Sequence, residues 1–313
     1  MSIKSSGNSL AFSEIEAEFG QNGGRSLGGY RLTQNVGSLS NLPLDTGIPT
    51  SGQIKFSDFY GKRLNVVVDC HSGGREDRKS AKGDKWNNNA VTVIGGFRSK
   101  KESGSKIIIN VNKKFCSDKS NQINCALKTG SWDSTATVQV DVGSNGEVLG
   151  AGGDGGKGAD GINNNGESGL PGTSALGIEH NGVTVNIASG GILRCGFGGG
   201  GGGGGAGCPA GNGGQGGSTG GGFGSGSGGP GGAGTETTGG GGGGGGNNGG
   251  QAYGGPGGSG GQAQGNAGGG QSRNTSGGSG GGNGAAIRRT SGFSVTINNS
   301  GSITGDQNAT GVG

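Results

Sequence analysis

Apolar residues in this chain fall into short alternating runs rather than long stripes. LNVVVDC (64–70), AVTVIGGF (90–97), KIIINVNKKF (106–115), CALKTGSW (125–132) and TATVQVDVG (135–143) are β-rich and separated by Gly, Ser, Asn and Asp clusters, as expected of short strands joined by turns. The pattern predicts an antiparallel β domain over residues 64–150, built as a sandwich, with Phe97, Phe115 and Trp132 as core aromatics. Residues 1–63 read differently. SGNSLAFSEI (6–15) and SGQIKFSDF (51–59) are a short duplication, each with an aromatic, a serine and an acid in sequence. Ser13 and Glu16 have capping-box spacing, predicting a helix that ends near Gly20, and Ser57 is placed to cap one turn ending near Gly61.

A second repeated phrase links the middle of the chain to its end. VQVDVGSNGEVLGAGGDGG (138–156), VTVNIASGGILRCGFGGGG (183–201) and VTINNSGSITG (295–305) share an alternating apolar strand, a small polar turn, a second apolar pair and then glycine. Between the last two, glycine takes over. The chain holds 89 glycines in 313 residues, with eight in a row at Gly198–Gly205 and again at Gly239–Gly246. Glycine loses more backbone freedom on folding than any other residue, so a folded tract needs a compensating interaction. A polyproline-II-type helix, with three residues per turn and a rise of about 3.1 Å, has no internal hydrogen bonds and must find its partners laterally. Without side chains such helices can pack backbone to backbone. Segments of eight to fifteen residues would then span about 25–45 Å, with their polar turns at the two ends. Collagen is the alternative, but strict Gly-X-Y phasing fails in the glycine runs and only 6 prolines are present.

Composition and charge narrow the function. Apolar residues make up 26% and aromatics 4%, too few for one large side-chain core. A net charge of +4 without a long basic tract gives no nucleic-acid signal. No apolar stretch approaches the length needed to span a bilayer, and the N-terminus lacks a secretory signal pattern, so synthesis in a cytoplasm is expected.

Motifs for chemistry are sparse. GGKGADGIN (155–163) fits one copy of a calcium-binding nonapeptide, but such sites share ligands between stacked copies, so Asp160 is read as a solvated turn residue and no metal is expected. Cys70, Cys116, Cys125, Cys195 and Cys208 contain no C-x-x-C pair and are expected as free thiols, although a Cys195–Cys208 bridge stays open if the chain reverses between them. Neither His71 nor His180 sits beside a nucleophile in a motif. Asp133, Asp141, Glu147 and Asp154 are close in sequence, as paired carboxylates for glycan cleavage would need, but twenty acids give such clusters by chance. The expectation is a protein that is not an enzyme and uses no cofactor.

The β modules ending in GAGGDGG, the phrase VTINNSGSITG and the polyglycine runs broken by short variable turns resemble bacteriophage tail-fibre and tail-tip receptor-binding proteins, most of all the distal adhesins of T-even-like long tail fibres. The likeness implies a mainly β chain in three parts. These are an N-terminal attachment segment with short helical turns (1–63), the antiparallel β domain (64–150), and a polyglycine-II bundle framed by short β modules (151–313). It implies partners in other tail or fibre proteins, met through the N-terminal region, and in a bacterial outer-membrane protein or surface glycan. A homotrimer is compatible with it. The virion tail is the implied location. The receptor-contacting candidates are the polar interruptions of the tract: Ser218, Thr219, Thr235, Glu236, Thr237, Thr238, Asn247, Asn248, Tyr253, Gln271, Ser272, Arg273, Asn274, Thr275 and Ser276. Two other readings compete: a structural fibre or decoration protein whose glycine module packs on neighbouring subunits, and an ice-binding protein, against which the bulky or charged Glu236, Tyr253 and Arg273 count.

Overall fold

A computed structural model describes residues 3–20, 26–36, 39–70, 74–75, 79–80, 90–91, 104–117, 122–158, 165–202, 247–248, 252–253 and 276–312. The first 63 residues form a small unit around one apolar cluster in which Ile15, Phe19, Tyr30, Leu44 and Phe59 are fully buried. Helix α1 (Phe12–Phe19), the 3-10 turns Leu27–Tyr30 and Phe56–Phe59, and the hairpin of β1 (Thr33–Val36) and β2 (Leu39–Pro43) make up its regular structure. The helix starts two residues earlier than its serine suggests. Ala11 is the cap residue, and Glu14 reaches back to accept from the Ala11 N–H at 2.9 Å. That bond, with Lys4 beside it, holds the Glu14 carboxyl below the usual range. Lys55, not Ser57, caps the last turn, with Asp58 accepting from the Lys55 N–H at 2.7 Å.

Downstream, the strands are parallel, not antiparallel. They coil as a three-faced solenoid whose rungs each contribute one strand to each face. The first rung is β3 (Asn65–Cys70), β4 (Gly74–Arg75) and β5 (Lys79–Ser80), after which β6 (Ala90–Val91) pairs antiparallel with β3. The second is β7 (Lys106–Val111), β8 (Lys114–Cys116) and β9 (Cys125–Lys128), and the third β10 (Thr137–Val142), β11 (Glu147–Leu149) and β12 (Ser174–Ile178). In the fourth, β13 (Val183–Ile187) and β14 (Ile192–Arg194) are followed by a small antiparallel pair, β15 (Asn247–Asn248) and β16 (Ala252–Tyr253), before β17 (Ile287–Arg289) closes the rung. The fifth is β18 (Val295–Asn299), β19 (Ser302–Thr304) and β20 (Ala309–Thr310). Each face therefore joins strands from before and after residue 150.

The alternation that suggested hairpins is satisfied between rungs instead. Each long strand turns within a few residues into a short strand on the next face, so its hydrogen-bonding partner is the equivalent strand one circuit later. Val68, Ile109, Val140, Val185 and Ile297 stand in one inward column across β3, β7, β10, β13 and β18. Phe115, Val148, Leu193 and Ile303 form another on the second face. The third face contributes Leu127, Leu176 and Ile287 to the same core. Outward positions carry a polar ladder, in which Asn186 donates to Asp141 at 2.7 Å and Asn298 donates to Asn186 at 2.8 Å. Corners stack as well: the N–H groups of Gly143, Ala188 and Ser300 donate to the carbonyls of Val111, Val142 and Ile187 in the rung before.

Phe115 and Trp132 are buried as expected, the indole N–H donating to the Thr129 carbonyl at 2.8 Å, while Phe97 lies outside the described residues. Cys70, Cys116, Cys125 and Cys195 are buried and form no disulfide among the described residues; Cys208 lies outside the described residues.

Ile109→Ala should lower unfolding free energy by about 2–5 kcal/mol in denaturant titration, because it opens a cavity between two rungs. Asn298→Ala, on the outer face of the last rung, should change it by less than about 1 kcal/mol. Burial pushes the Cys125 thiol up from an ordinary 9.0 to about 12 and raises that of Cys195. Cys125 stays protonated in the folded chain while the unfolded chain ionises, so its contribution to stability is complete below pH 9 and declines as pH rises toward 12; Cys195 acts in the same direction. A thiol-alkylating reagent at pH 8 should leave Cys125 and Cys195 unmodified in the native protein and modify them in denaturant.

Candidate functional site: a glycine bundle at one solenoid corner

Two adjacent rungs interrupt the solenoid at the same corner, between the second and third faces. In the third rung the chain leaves β11 at Gly150 and returns to β12 at Ser174. In the fourth it leaves β14 at Cys195 and returns to β17 at Ile287. Because the rungs are stacked in register, the excursions run side by side. Four segments can be followed: 150–157 and 195–202 going out, 166–173 and 276–284 coming back.

No segment bonds to itself along its length; every third residue bonds to a neighbour. Gly150, Gly153 and Gly156 donate to the carbonyls of Arg194, Phe197 and Gly200, a parallel contact between the two outgoing segments. Gly166, Gly169 and Gly172 donate to Ser276, Ser279 and Gly282, a parallel contact between the two returning ones. Antiparallel contacts tie the two pairs together. Glu167, Leu170 and Thr173 donate to Lys157, Asp154 and Ala151; Gly196, Gly199 and Gly202 donate to Thr173, Leu170 and Glu167; Gly278, Gly281 and Gly284 donate to Gly202, Gly199 and Gly196. All of these bonds are 2.7–2.9 Å long, well within the range of strong backbone hydrogen bonds.

This arrangement explains where glycine is required. A Cβ on Gly199 would overlap the Asp154 carbonyl, one on Gly153 the Leu170 carbonyl, and one on Gly281 the Leu170 carbonyl from the other side. Large polar and apolar side chains such as Asp154, Lys157, Glu167 and Leu170 stand where a position faces outward and are exposed, whereas the outgoing segment 195–202, enclosed by the other three, is buried throughout, Phe197 included. That enclosed segment enters the first eight-glycine run. At the base of the bundle Ser117 and Thr173 share a hydroxyl hydrogen bond and both accept from the Ala151 N–H. Ser174 accepts from the Ala285 N–H at 3.0 Å and from the Arg288 guanidinium at 3.1 Å, and Arg288 also donates to the carbonyl of Thr310, tying the bundle's return to the last rung.

Family comparison fits this architecture. A family model described as phage tail fibre adhesin Gp38 matches residues 78–308, which contain the second, third and fourth rungs, β18 and β19 of the fifth, and all four glycine segments. The chain belongs to that family. The adhesin is thus a host-attaching protein of a phage tail fibre. Among solved structures it is similar to the crystal structure of the gp37-gp38 adhesin tip complex of the bacteriophage S16 long tail fiber, with 18% identity, 83% of this chain and 89% of that chain covered, and a TM-score of 0.36. No curated protein sequence matches it.

Of the residues singled out in the adhesin's tract, Asn247, Asn248 and Tyr253 lie on the β15–β16 pair, where Asn247 faces Tyr253 in register. Ser276 is exposed at the outer end of the bundle, where its N–H donates to the Asn165 side chain at 2.9 Å and its carbonyl accepts from Gly166. Ser218, Thr219, Thr235–Thr238 and Gln271–Thr275 lie outside the described residues, as do Asp160 and His71. His180 is buried, its Nε2 3.2 Å from the Ala136 carbonyl. The four neighbouring acids are dispersed: Asp133 caps a turn through Thr135, Asp141 belongs to the outer ladder, Glu147 meets Lys114 at 3.7 Å, and Asp154 lies on the bundle. Asn165 was not singled out by sequence, because only its placement beside Ser276 across the bundle distinguishes it from other loop asparagines.

Gly199→Ala should disrupt the bundle at its centre, costing about 1–3 kcal/mol or more, and should turn the segments 195–202 and 276–284 into targets for limited proteolysis while the solenoid resists. Asp154→Ala, on the exposed side of the neighbouring segment, should leave the digestion pattern unchanged.

Proposed function

We propose that the glycine segments are polyglycine-II helices and that the adhesin binds its host through the polar turns at their outer ends. The three-residue period of the lateral bonds carries this reading, since a helix with three residues per turn presents the same edge at every third residue. Chain direction supports it too. Segments leaving and returning at one corner make a projection whose far end is formed by the turns between them, and Ser276 beside Asn165 belongs to that end. Such a projection needs no apolar core. Its turns can vary in sequence without disturbing the lateral contacts, which is what a receptor-reading surface requires.

Under this reading the contacts are made by Ser218, Thr219, Thr235–Thr238, Asn247, Asn248, Tyr253 and Gln271–Ser276, and the ligand is an outer-membrane protein or surface glycan of the host bacterium. Residues 1–63 attach the chain to other fibre proteins, leaving the solenoid as a rigid base. Adhesion proceeds without bond cleavage and without a cofactor. Each turn contributes modestly, and several fibres on one particle multiply the effect.

Replacing Thr235–Thr238 and Gln271–Ser276 by serine in the full chain should reduce binding to host cells at least tenfold while leaving the thermal transition in place. Retained binding with an unchanged melting curve would place the receptor surface elsewhere on the chain.

A further inference from the structure

One hydrogen-bonding figure recurs three times where the chain runs from the bundle back into the solenoid. In it a side-chain oxygen accepts the N–H of a residue in the next rung, and the N–H of the following residue donates to that same residue's carbonyl. Asn165 and Gly166 hold Ser276 in this way, with both bonds at 2.9 Å. Ser174 and Ala175 hold Ala285 at 3.0 and 2.8 Å. Asn181 and Gly182 hold Ser294 at 2.9 and 3.1 Å. Ser276, Ala285 and Ser294 follow one another at equal intervals of nine residues, so the three clamps pin successive points of one returning stretch to the rung before it.

Two of the clamps sit where other contacts already fix the register. Ser174 and Ala285 are buried at the start of the third face, beside the parallel pairing of β12 with β17. Asn181 precedes β13, which pairs with β18 along its whole length. Asn165 stands apart from any strand, at the exposed outer end of the bundle, where Gly166 makes the outermost of the described bonds that Gly166, Gly169 and Gly172 send to the neighbouring returning segment. The end of a hydrogen-bonded stretch is where local opening costs least, and the second bond to Ser276 counters it there. Both bonds engage main-chain atoms, so the clamp fixes the chain at Ser276 while placing no demand on the side chain carried at that position.

We propose that Asn165 is a positioning residue for host attachment: by holding the Ser276 backbone it fixes the point at which the host-contacting chain enters the bundle. It acts through Ser276 and does not itself contact the host. A contact surface that must be ordered on binding forfeits part of its affinity, and a clamp that reads only main chain removes that cost while the residues it presents stay free to vary. This rests on the reading that the polar turns at the outer end of the bundle bind the host, and names a residue that reading leaves without a role.

The test follows three quantities on the full adhesin: affinity for host cells, the melting curve, and amide exchange at Ser276. Asn165→Leu removes the acceptor and should weaken binding about threefold to tenfold, the range that loss of one hydrogen bond allows. It should also speed exchange of the Ser276 amide, leave that of Gly199 slow, and keep the thermal transition in place. Asn165→Asp retains the acceptor oxygen and should restore both affinity and Ser276 protection. Asn181→Leu breaks the same clamp in the solenoid and should leave host binding unchanged, which separates positioning from a general loss of stability. Wild-type affinity in Asn165→Leu, or a Ser276 amide that stays protected in it, would overturn the proposal. So would an equal loss of affinity in the leucine and aspartate variants, which would make Asn165 a direct contact, or in Asn181→Leu. Each of these outcomes leaves the turns as the receptor surface. That reading falls instead if neither Asn165→Leu nor the serine replacement of Thr235–Thr238 and Gln271–Ser276 alters binding.

Discussion

A backbone N–H reaching the carbonyl of a neighbouring segment across a gap too small for a Cβ is the contact on which the projecting part of this protein depends. It substitutes for the apolar core that the composition cannot supply. Glycine's entropic cost is high, but each glycine at the interface allows a short lateral hydrogen bond and close backbone packing that any larger residue would block. The requirement is directional. Gly153, Gly199 and Gly281 are needed because each faces a carbonyl, whereas Asp154 and Leu170, in the same segments as glycines, face outward and keep their side chains.

That contact works only if the segments start in register, and the solenoid sets the register. Inward columns such as Val68–Ile109–Val140–Val185–Ile297 fix each rung over the one before, because a one-residue slip would turn every apolar side chain outward. With the rungs fixed, Gly150 and Cys195 leave the same corner one rung apart, and their segments meet as neighbours. The hydroxyls of Ser117, Thr173 and Ser174 complete the junction by satisfying backbone donors where the strand ladder gives way to the bundle.

The sequence made the parts legible but not their pairing. The phrase shared by 138–156, 183–201 and 295–305 is the unit of one solenoid corner, and KIIINVNKKFC, which carries the same strand–turn–strand pattern at 106–116, is a further copy. Alternating β-branched residues specify an inward face without saying whether the next strand lies beside it or one circuit later, so the antiparallel reading followed local spacing where the chain pairs over longer separations. The lateral backbone packing of the described glycine segments was expected from physical reasoning about what could replace side-chain packing. Its organisation was hidden because partners such as Gly166 and Ser276 are 110 residues apart. The third turn of the N-terminal unit was also invisible, since LGGY shares no residue type pattern with FSEI or FSDF beyond its first and fourth apolar positions.

The central claim is that part of a tract which composition alone would assign to a flexible coil is held by lateral backbone hydrogen bonds as firmly as the strands that anchor it. Amide hydrogen exchange on the full adhesin tests this most directly. The account predicts that the amides of Gly153, Gly169, Gly199 and Gly281 exchange as slowly as those of Ile109 and Val140 in the solenoid. Exchange of these glycine amides at unfolded-chain rates, with the solenoid still protected, would contradict it.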